Sequence, residues 1–446
     1  MNGPHPDFAE EYYHDADLRI VQAVPQDARD ILDVDCGEGR LGEVLKHLQP
    51  ARRITGIASQ RNAGAAGSRL DTVVVGSLQD KAPTFPEQAF DCIVAGNALS
   101  RSRDPQAILE RLRPCLKPGG DLIAAFPNLQ HWSRIDRLLS GEAGWRNDTP
   151  PPFAVADLIR LFLDAGYLPH LVDQRLVPAP TEWLAAMQTT LARQGLDAET
   201  FARRTQTWQY FVAARPIADL PDKVAHNFAD CPPVTVGACT NDASVLNNNL
   251  LASPCLRDNR HETLMVQGAD SAAEGLNAII AQARHDLVVL AHQDVYLPKW
   301  WITRVWQQYG KARELAGDRL GVMGVYGVLG TPHGIQRSGR VADRDFLLNE
   351  PTPLPALTSS LDELVLIVPK NTPLRFEPSL GFHLYGTDIC LSAIERGLHG
   401  MVIDAPCHHN SKQGNHLPDA FHQSKSALRQ KWATHLPIAT VCDIVS

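Results

Sequence analysis

Short apolar segments alternate with helix-like segments along most of this chain, in two separate series. Strands that alternate with helices favour a mostly parallel sheet with helices on both faces. A polar, proline-bearing stretch without periodicity separates the two series, and 446 residues leave room for two cores. The sequence therefore predicts an α/β protein of two domains, residues 1–215 and 233–446, joined by a linker at 216–232.

Composition excludes several classes of protein. The net charge of -8 argues against a general nucleic-acid binder, so no nucleic-acid partner is expected. No apolar run approaches the roughly 20 residues of a membrane-spanning helix, and the polar N-terminus does not resemble a signal peptide. The nine cysteines are scattered without a C-x-x-C pair, which is typical of reduced thiols. These features predict a cytoplasmic protein without a transmembrane segment.

The segment ILDVDCGEGR, residues 31–40, is an apolar strand that runs into a glycine-bearing turn before a helical stretch. This layout is typical of a loop that holds a nucleotide cofactor, because glycine lets the backbone approach a ligand closely. Gly37 and Gly39 occupy two of the expected positions, and Asp35 stands where such loops usually carry their first glycine.

The first half resembles the class I S-adenosylmethionine-dependent methyltransferases, and within them the MetW-like group. The residues that carry this resemblance are ILDVDCGEG, FDCIVAGNALSRSRDPQAILERLRPCLKPGGDLIAAFPN and HWSRIDRLLSGE, and it covers most of residues 11–215. The resemblance implies a Rossmann-like sheet and S-adenosylmethionine (SAM) as cofactor. It also implies that Asp33, Gly37 and Gly39 form part of the cofactor site.

Three positions depart from the pattern of that family. Ala58 stands where the family usually carries the carboxylate that binds the ribose, and Ser77 stands where an acid often lies near the adenine. Loss of a charge-assisted hydrogen bond costs roughly 1.5–3 kcal/mol. Asp35 adds a negative charge to the loop as well. We therefore expect a degenerate domain that binds SAM weakly or not at all, with an active methyltransferase as the alternative.

In the second half, the stretch ARHDLVVLAHQDVYLPKWW contains a buried-type strand followed directly by His292, Gln293 and Asp294. Ligands of open α/β sheets bind at the carboxyl ends of strands. A carboxylate there can hold a divalent cation, which would neutralise the charge of a diphosphate leaving group. The competing interpretation is that Asp294 only ends the strand as a turn or cap residue.

Residues from about Val234 to Asn415 resemble family 2-like glycosyltransferases of the GT-A fold, with HQD in place of the usual D-x-D. Five segments occur in the order of that family: VTVGACTND, GADSAAEGLNAIIAQARHD, SSLDELVLIVPK, FHLYGTDICLSAIERG and APCHHNSKQG. The resemblance implies that Asp294 and His409 hold Mg²⁺ or Mn²⁺. The residues implied to bind a nucleotide sugar are Thr240, Asn241, Asp242, Asn277 and His292.

The same resemblance implies that Asp388 is the catalytic base at the start of a helix, with Asp362 and Glu363 as the next candidates. An acid in that place can also be a plain helix cap. His408 is expected to serve packing or to contact the metal ligands.

The main functional prediction is transfer of a sugar from a nucleotide-sugar donor to a hydroxyl of a saccharide or glycolipid acceptor. The resemblance implies an inverting, metal-dependent reaction in surface polysaccharide or glycoconjugate synthesis, beside a degenerate methyltransferase-like domain. Two alternatives stay open. The protein is an active SAM-dependent methyltransferase, alone or together with glycosyl transfer, or it is a scaffold without catalysis.

Overall fold

A computed structural model describes residues 17–78, 83–142, 152–194, 197–220, 231–331, 334–411 and 417–446. The chain divides into two compact units, Met1–Lys223 and Val224–Ser446, and each has a mixed α/β architecture.

The first unit is built on a seven-stranded sheet with the order β3-β2-β1-β4-β5-β7-β6. Strands β3 to β5 of this order pair in parallel, whereas β7 is antiparallel to both of its neighbours. The strands are β1 (Asp30–Val34), β2 (Arg53–Ala58), β3 (Thr72–Val75), β4 (Phe90–Gly96), β5 (Leu116–Pro127), β6 (Tyr167–Leu176) and β7 (Thr207–Pro216).

Helices cover this sheet, which explains why most residues of its central strands are apolar. Ile31 and Leu32 of β1 and Ile93 of β4 are each fully buried, as expected for strands covered on both faces. The helices are α1 (Leu18–Ala23), α2 (Arg40–Leu48), α3 (Ala63–Gly67), α4 (Pro105–Leu112), α5 (Trp132–Leu139), α6 (Val155–Asp164), α7 (Thr181–Arg193) and α8 (Ala198–Thr205).

The order of the strands reverses between β1 and β4. From β1 the chain passes outward to β2 and β3, and it then returns to β4 on the other side of β1. A crevice opens at such a reversal, outside the carboxyl ends of the strands, and ligands of open α/β sheets bind there. The glycine-bearing turn after β1 lies at this point.

The second unit contains a seven-stranded mixed sheet with the order β16-β19-β12-β18-β10-β8-β9. In it, β8 is parallel to β9 and β10, and β18 runs antiparallel to β10 and β12. The strands of this sheet are β8 (Thr235–Thr240), β9 (Glu262–Gln267), β10 (Leu287–Ala291), β12 (Leu320–Gly324), β16 (Ala356–Thr358), β18 (Val365–Pro369) and β19 (His399–Val402).

A further sheet of six strands follows the order β11-β20-β14-β13-β17, with β15 paired to β14. Its pairing of β11 with β20 places His409 opposite Val295, next to the HQD turn that follows β10. The strands are β11 (Val295–Tyr296), β13 (Tyr326–Thr331), β14 (Gly334–Asp343), β15 (Phe346–Asn349), β17 (Ser360–Leu361) and β20 (His408–His409), and β21 (Ile438–Ala439) and β22 (Ile444–Val445) form a separate pair.

Five helices pack in the described part of the second unit, and a large apolar core lies among them and the seven-stranded sheet. Helix α9 begins after Asp242, whose carboxylate accepts hydrogen bonds from the backbone N–H groups of Ser244 and Val245. The helices are α9 (Ala243–Asn248), α10 (Ala272–Gln282), α11 (Trp301–Ala316), α12 (Tyr385–Glu395) and α13 (Asp419–Lys431).

The structure refines the predicted organisation at two points. Ile217 and Leu220, placed in the linker by the sequence, are buried, and the Ile217 N–H donates to Gly166 O of the first unit. Residues 221–230 of that linker lie outside the described residues. The six-stranded sheet of the second unit was not predicted as a sheet of its own.

Candidate functional site

The turn after β1 has left-handed backbone at Asp35, Gly37 and Gly39, with φ values of 57°, 54° and 82°. Aspartate tolerates this conformation better than most residues, so its presence does not break the turn. A Cβ on Gly37 would meet nothing within 4 Å, whereas one on Gly39 would lie 3.0 Å from Leu70 Cγ. Gly39 therefore serves packing inside the unit, and Gly37 faces open space in which a ligand can lie.

Asp35 forms an ion pair with Arg101, which lies in the turn that follows β4. The pair joins the ends of the two strands between which the sheet order reverses. Because the guanidinium stands beside the carboxylate, the negative charge that Asp35 adds to the loop is largely balanced.

Asp33 lies beneath the loop with a side chain only 4% exposed. Its Oδ2 has no hydrogen-bond partner among the residues that the structure describes. Burial, and then the neighbouring Asp35, raise the pKa of Asp33 to about 8. At neutral pH the group is therefore mostly protonated and can donate a hydrogen bond.

The two other departures also lie at strand ends. Ala58 closes β2 and is fully buried, and Ser77 follows β3. Neither position carries a carboxylate. The end of β2 therefore offers no acidic side chain at Ala58 to bind the ribose of a cofactor.

Several polar and aromatic side chains at the same edge of the sheet were not predicted. Gln209 Nε2 donates to Asn97 Oδ1 at 3.0 Å, which links β7 to the end of β4. His131 packs edge-on against Trp208, and Arg134 lies over the same ring at 5.3 Å. These groups flank the crevice on the side away from β2. The strand FDCIVAG, which ends directly before Asn97, was the available signal for one of them.

In the second unit, a cavity of about 860 Å³ opens at the carboxyl ends of β8 and β10. Of the residues predicted to bind ligand or metal, it brings together Thr240, Asn241, Asp242, His292, Asp294 and His409. Asp362 and Glu363 line it as well. Burial, and then Asp362, raise the pKa of Glu363 to about 8.

Gln293, the middle residue of the HQD turn, organises the end of β8. Its Oε1 accepts hydrogen bonds from Thr240 Oγ1 at 2.8 Å and from the backbone N–H of Asn241 at 3.1 Å. Its Nε2 donates to Asn241 Oδ1 at 2.6 Å. Thr240 and Asn241 therefore take part in internal bonds, and the sequence interpretation missed the residue that holds them.

His292, Asp294 and His409 form a compact cluster whose three candidate ligand atoms all lie within 4.8 Å of one another. Burial works to raise the pKa of Asp294, but the nearby His409 and His292 bring it down to about 2. Burial opposes protonation of His409 as well, yet Asp294 and Asp343 raise the pKa of His409 to about 10. Burial lowers the pKa of His292, which keeps that ring neutral.

Asp388, the predicted catalytic base, is not among the described residues that line the cavity. The side chain is fully buried, Oδ1 accepts from Trp432 Nε1 at 2.7 Å, and Oδ2 accepts from Lys431 Nζ at 3.0 Å. Its neighbour Thr387 lines the cavity instead. Asp388 thus ties α12 to the end of α13.

Asn277, predicted to bind a nucleotide sugar, is also used elsewhere. Its amide donates to Phe376 O at 2.9 Å and accepts from Phe376 N at 3.0 Å, which fastens α10 to the loop that follows β18. Among the described residues it does not line the cavity. His408 is fully buried on β20.

Comparison with known proteins identifies the first unit as methyltransferase-like. Residues 15–153 match the family described as methionine biosynthesis protein MetW, and this range contains β1 to β5 and the glycine-bearing turn.

The curated relatives that match are named trans-aconitate 2-methyltransferase. The protein of Escherichia fergusonii is 31% identical over 122 residues, which is 27% of this chain and 47% of that protein. The protein of Methylobacterium radiotolerans is 27% identical over 180 residues, which is 39% of this chain and 67% of that protein. The chain spans about half the length of the first of these relatives.

Among solved structures, a SAM-dependent methyltransferase from Mesorhizobium loti is 16% identical, with 46% of this chain and 99% of that chain covered and a TM-score of 0.31. Human N-acetylserotonin methyltransferase in complex with SAM is also 16% identical, with 48% and 52% covered and a TM-score of 0.29. Likeness at this level says nothing about activity.

These findings correct the main functional prediction. Glycosyl transfer as the principal activity is contradicted, because the curated relatives are named as methyltransferases and the matching family is methionine biosynthesis protein MetW. The predicted roles in polysaccharide synthesis and in binding nucleotide-sugar donors fail with it, and a GT-A assignment of the second unit is not confirmed. Among the described residues, no helix combines the length and apolar character that crossing a membrane requires.

Proposed function

We propose that the protein is a SAM-dependent methyltransferase that holds its cofactor over the turn of residues 35–39. The observation that carries this proposal is the open, left-handed turn at Gly37, at the point where the order of the first sheet reverses. The MetW match over residues 15–153 and the curated methyltransferase relatives support it.

The residues around the turn fit the methionine end of SAM. Open space above Gly37 admits a ligand close to the backbone, and Arg101 balances the charge of Asp35. The protonated Asp33 beneath the turn offers a donor to a ligand oxygen. The fit is poorer at the ribose, because the end of β2 carries Ala58 in place of an acid. SAM affinity is accordingly expected to be modest.

When bound, SAM supplies an electrophilic methyl group, and the chain has to present an acceptor to it. Asn97 and Gln209 are joined by a hydrogen bond at the edge of the crevice, where they can orient a polar acceptor. Arg134 lies close by over Trp208 and supplies a positive charge. An anionic small molecule fits these groups, and trans-aconitate is the first acceptor to test because the curated relatives carry that name.

The proposal is tested by calorimetric titration of the full chain with SAM and with its demethylated product. Gly37→Ala places a Cβ in the space assigned to the cofactor, so we expect the Kd for SAM to rise at least tenfold, about 1.4 kcal/mol. Gly119→Ala is the matched control, because Gly119 has φ +80° and no atom within 4 Å of its added Cβ. Gly119 lies near the amino end of β5, whereas the turn lies at the carboxyl ends of the strands.

If Gly37→Ala and Gly119→Ala weaken SAM binding equally, the turn is not part of the cofactor site. Failure of the wild-type chain to bind SAM at millimolar concentration would refute the cofactor proposal. Transfer of a labelled methyl group to trans-aconitate and other small carboxylic acids then tests the reaction itself.

For the second unit we propose a divalent-cation site formed by His292, Asp294 and His409. Its support is the short distance between the three ligand atoms, with the buried Asp294 Oδ1 3.4 Å from His409 Nε2. Asp294→Ala should abolish binding of Mn²⁺ measured by calorimetry, with the melting temperature measured alongside to show that the variant is folded.

A further inference from the structure

The backbone itself brings the three candidate ligands of the second unit together. His292 and Asp294 belong to the turn that leads from β10 to β11, and His409 lies on β20. Antiparallel pairing sets Val295 against His409, and the Asn410 N–H donates to Asp294 O at 2.9 Å. The cluster is thus fixed by strand register.

Each histidine of the cluster has one ring nitrogen that is already engaged by a neighbour. His409 Nδ1 lies 2.8 Å from Asp343 Oδ1, and its Nε2 points toward Asp294 Oδ1 at 3.4 Å. His292 Nε2 lies 2.9 Å from the hydroxyl of Tyr385. A bound cation would therefore use Nδ1 of His292 and Nε2 of His409, and Nε2 would first have to lose its proton.

A carboxylate bound to the far nitrogen of a histidine fixes the orientation and tautomer of the ring and strengthens the other nitrogen as a metal ligand. Asp343 is placed to do this for His409. It comes from the end of β14, which pairs in parallel with β20 so that Asp343 stands opposite His409. Its side chain is about one-fifth exposed, as is that of His409.

The ligand set also discriminates between cations. Mg²⁺ favours oxygen ligands and keeps much of its water, whereas imidazole suits first-row transition metal ions. Two imidazoles and one carboxylate therefore favour Mn²⁺, Fe²⁺, Co²⁺ or Zn²⁺ over the Mg²⁺ that the sequence also allowed. Three protein ligands beside an open cavity leave coordination positions for water or a bound molecule.

We infer that the second unit carries a two-histidine, one-carboxylate site that selects a transition metal ion over Mg²⁺, and that Asp343 is a positioning residue for His409. This inference rests on the proposed cation site and is independent of SAM binding by the first unit.

The experiment titrates the chelator-treated full chain with Co²⁺, whose visible absorption reports histidine ligation, and with Mg²⁺ by calorimetry. We expect Co²⁺ to bind at least a hundredfold more tightly than Mg²⁺. Asp343→Asn should weaken Co²⁺ binding 10- to 100-fold and change its absorption spectrum, since loss of a carboxylate behind a metal-bound histidine has effects of this size. Asp294→Ala should abolish binding.

Asp345→Asn is the matched control, because it removes the same charge two residues further along the same hairpin, whereas His409 Nδ1 is bound by Asp343. It should leave Co²⁺ affinity within twofold of the wild type. Equal affinities for Mg²⁺ and Co²⁺ would overturn the selectivity, and wild-type Co²⁺ affinity in Asp343→Asn would overturn the role of Asp343. If neither Co²⁺ nor Mg²⁺ binds, the proposed cation site is wrong. If only SAM binding is absent, the cation site is unaffected.

Discussion

Substitution of Asp388 tests whether this buried carboxylate is structural, as its contacts indicate, or chemical. Asp388→Asn keeps an acceptor for Trp432 Nε1 and removes the charge that faces Lys431 Nζ. A hydrogen bond to a charged group is worth roughly 1.5–3 kcal/mol. Lys431 is 32% exposed, so solvent screens the pair and the lower part of that range applies.

We therefore expect Asp388→Asn to lower the free energy of unfolding by about 1.5–2 kcal/mol, or the melting temperature by roughly 3–8 °C for a unit of this size. Asp388→Ala should cost more, because it also leaves the buried indole N–H of Trp432 without its acceptor. Asp318→Asn is the control, since Asp318 is 98% exposed in its ion pair with Arg313. Its loss should be below about 0.5 kcal/mol.

The assay is scanning calorimetry of the full chain, together with Co²⁺ titration of each variant. A double-mutant cycle with Lys431→Met isolates the pairwise energy, and the combined loss should be smaller than the sum of the single losses. An Asp388→Asn variant that melts like the wild type would refute the structural role.

Three further predictions address the first unit and the core of the second. Combining Asp35→Gly with Ala58→Asp should tighten SAM binding by roughly ten- to a hundredfold in calorimetry, because a charge-assisted hydrogen bond to the ribose is gained. An unchanged SAM affinity would show that the ribose does not bind at the end of β2. Burial raises the pKa of Asp33 to about 8, so between about pH 4 and 8 the folded chain keeps a proton that the unfolded chain has lost. Stability from this group thus falls as pH rises through that window, and Asp33→Asn should stabilise the protein more at pH 8 than at pH 5 in urea unfolding; an equal effect at both values would contradict the raised pKa. Gly237→Ala would place a Cβ 2.4 Å from a side chain of the adjacent helix and should cost about 1–3 kcal/mol in the same assay. Gly310→Ala, with open space around its Cβ in α11, should be neutral or stabilising.

Sequence alone predicted the strands that are buried on both faces. Their short apolar runs, such as LVVLA in β10, are typical of strands that are buried on both faces. Strand β6 has a weaker sequence pattern, because Pro169 interrupts it and because it is an edge strand that pairs with β7 among the described strands. Strand β14 also has a weak pattern, because its sequence, GIQRSGRVAD, is largely polar.

At the sites, sequence order located strand ends but could not distinguish side chains that face the cavity from those that face the core. Thr387 and Asp388 are adjacent on α12, yet only Thr387 lines the cavity. The role of Asp343 depends on the pairing of β14 with β20, which no local pattern encodes. The ion pair of Asp35 with Arg101 likewise joins residues from two different turns.

The pairing of β11 with β20 has a consequence for the order of events in folding. It joins residues roughly 110 positions apart, and contacts between such distant segments form slowly because a long loop must close first. The HQD turn can form locally with β10, but His409 reaches it only when this pairing is made. We therefore expect the complete cluster to form late in folding. The visible absorption of bound Co²⁺ would then report when the second unit reaches its native structure.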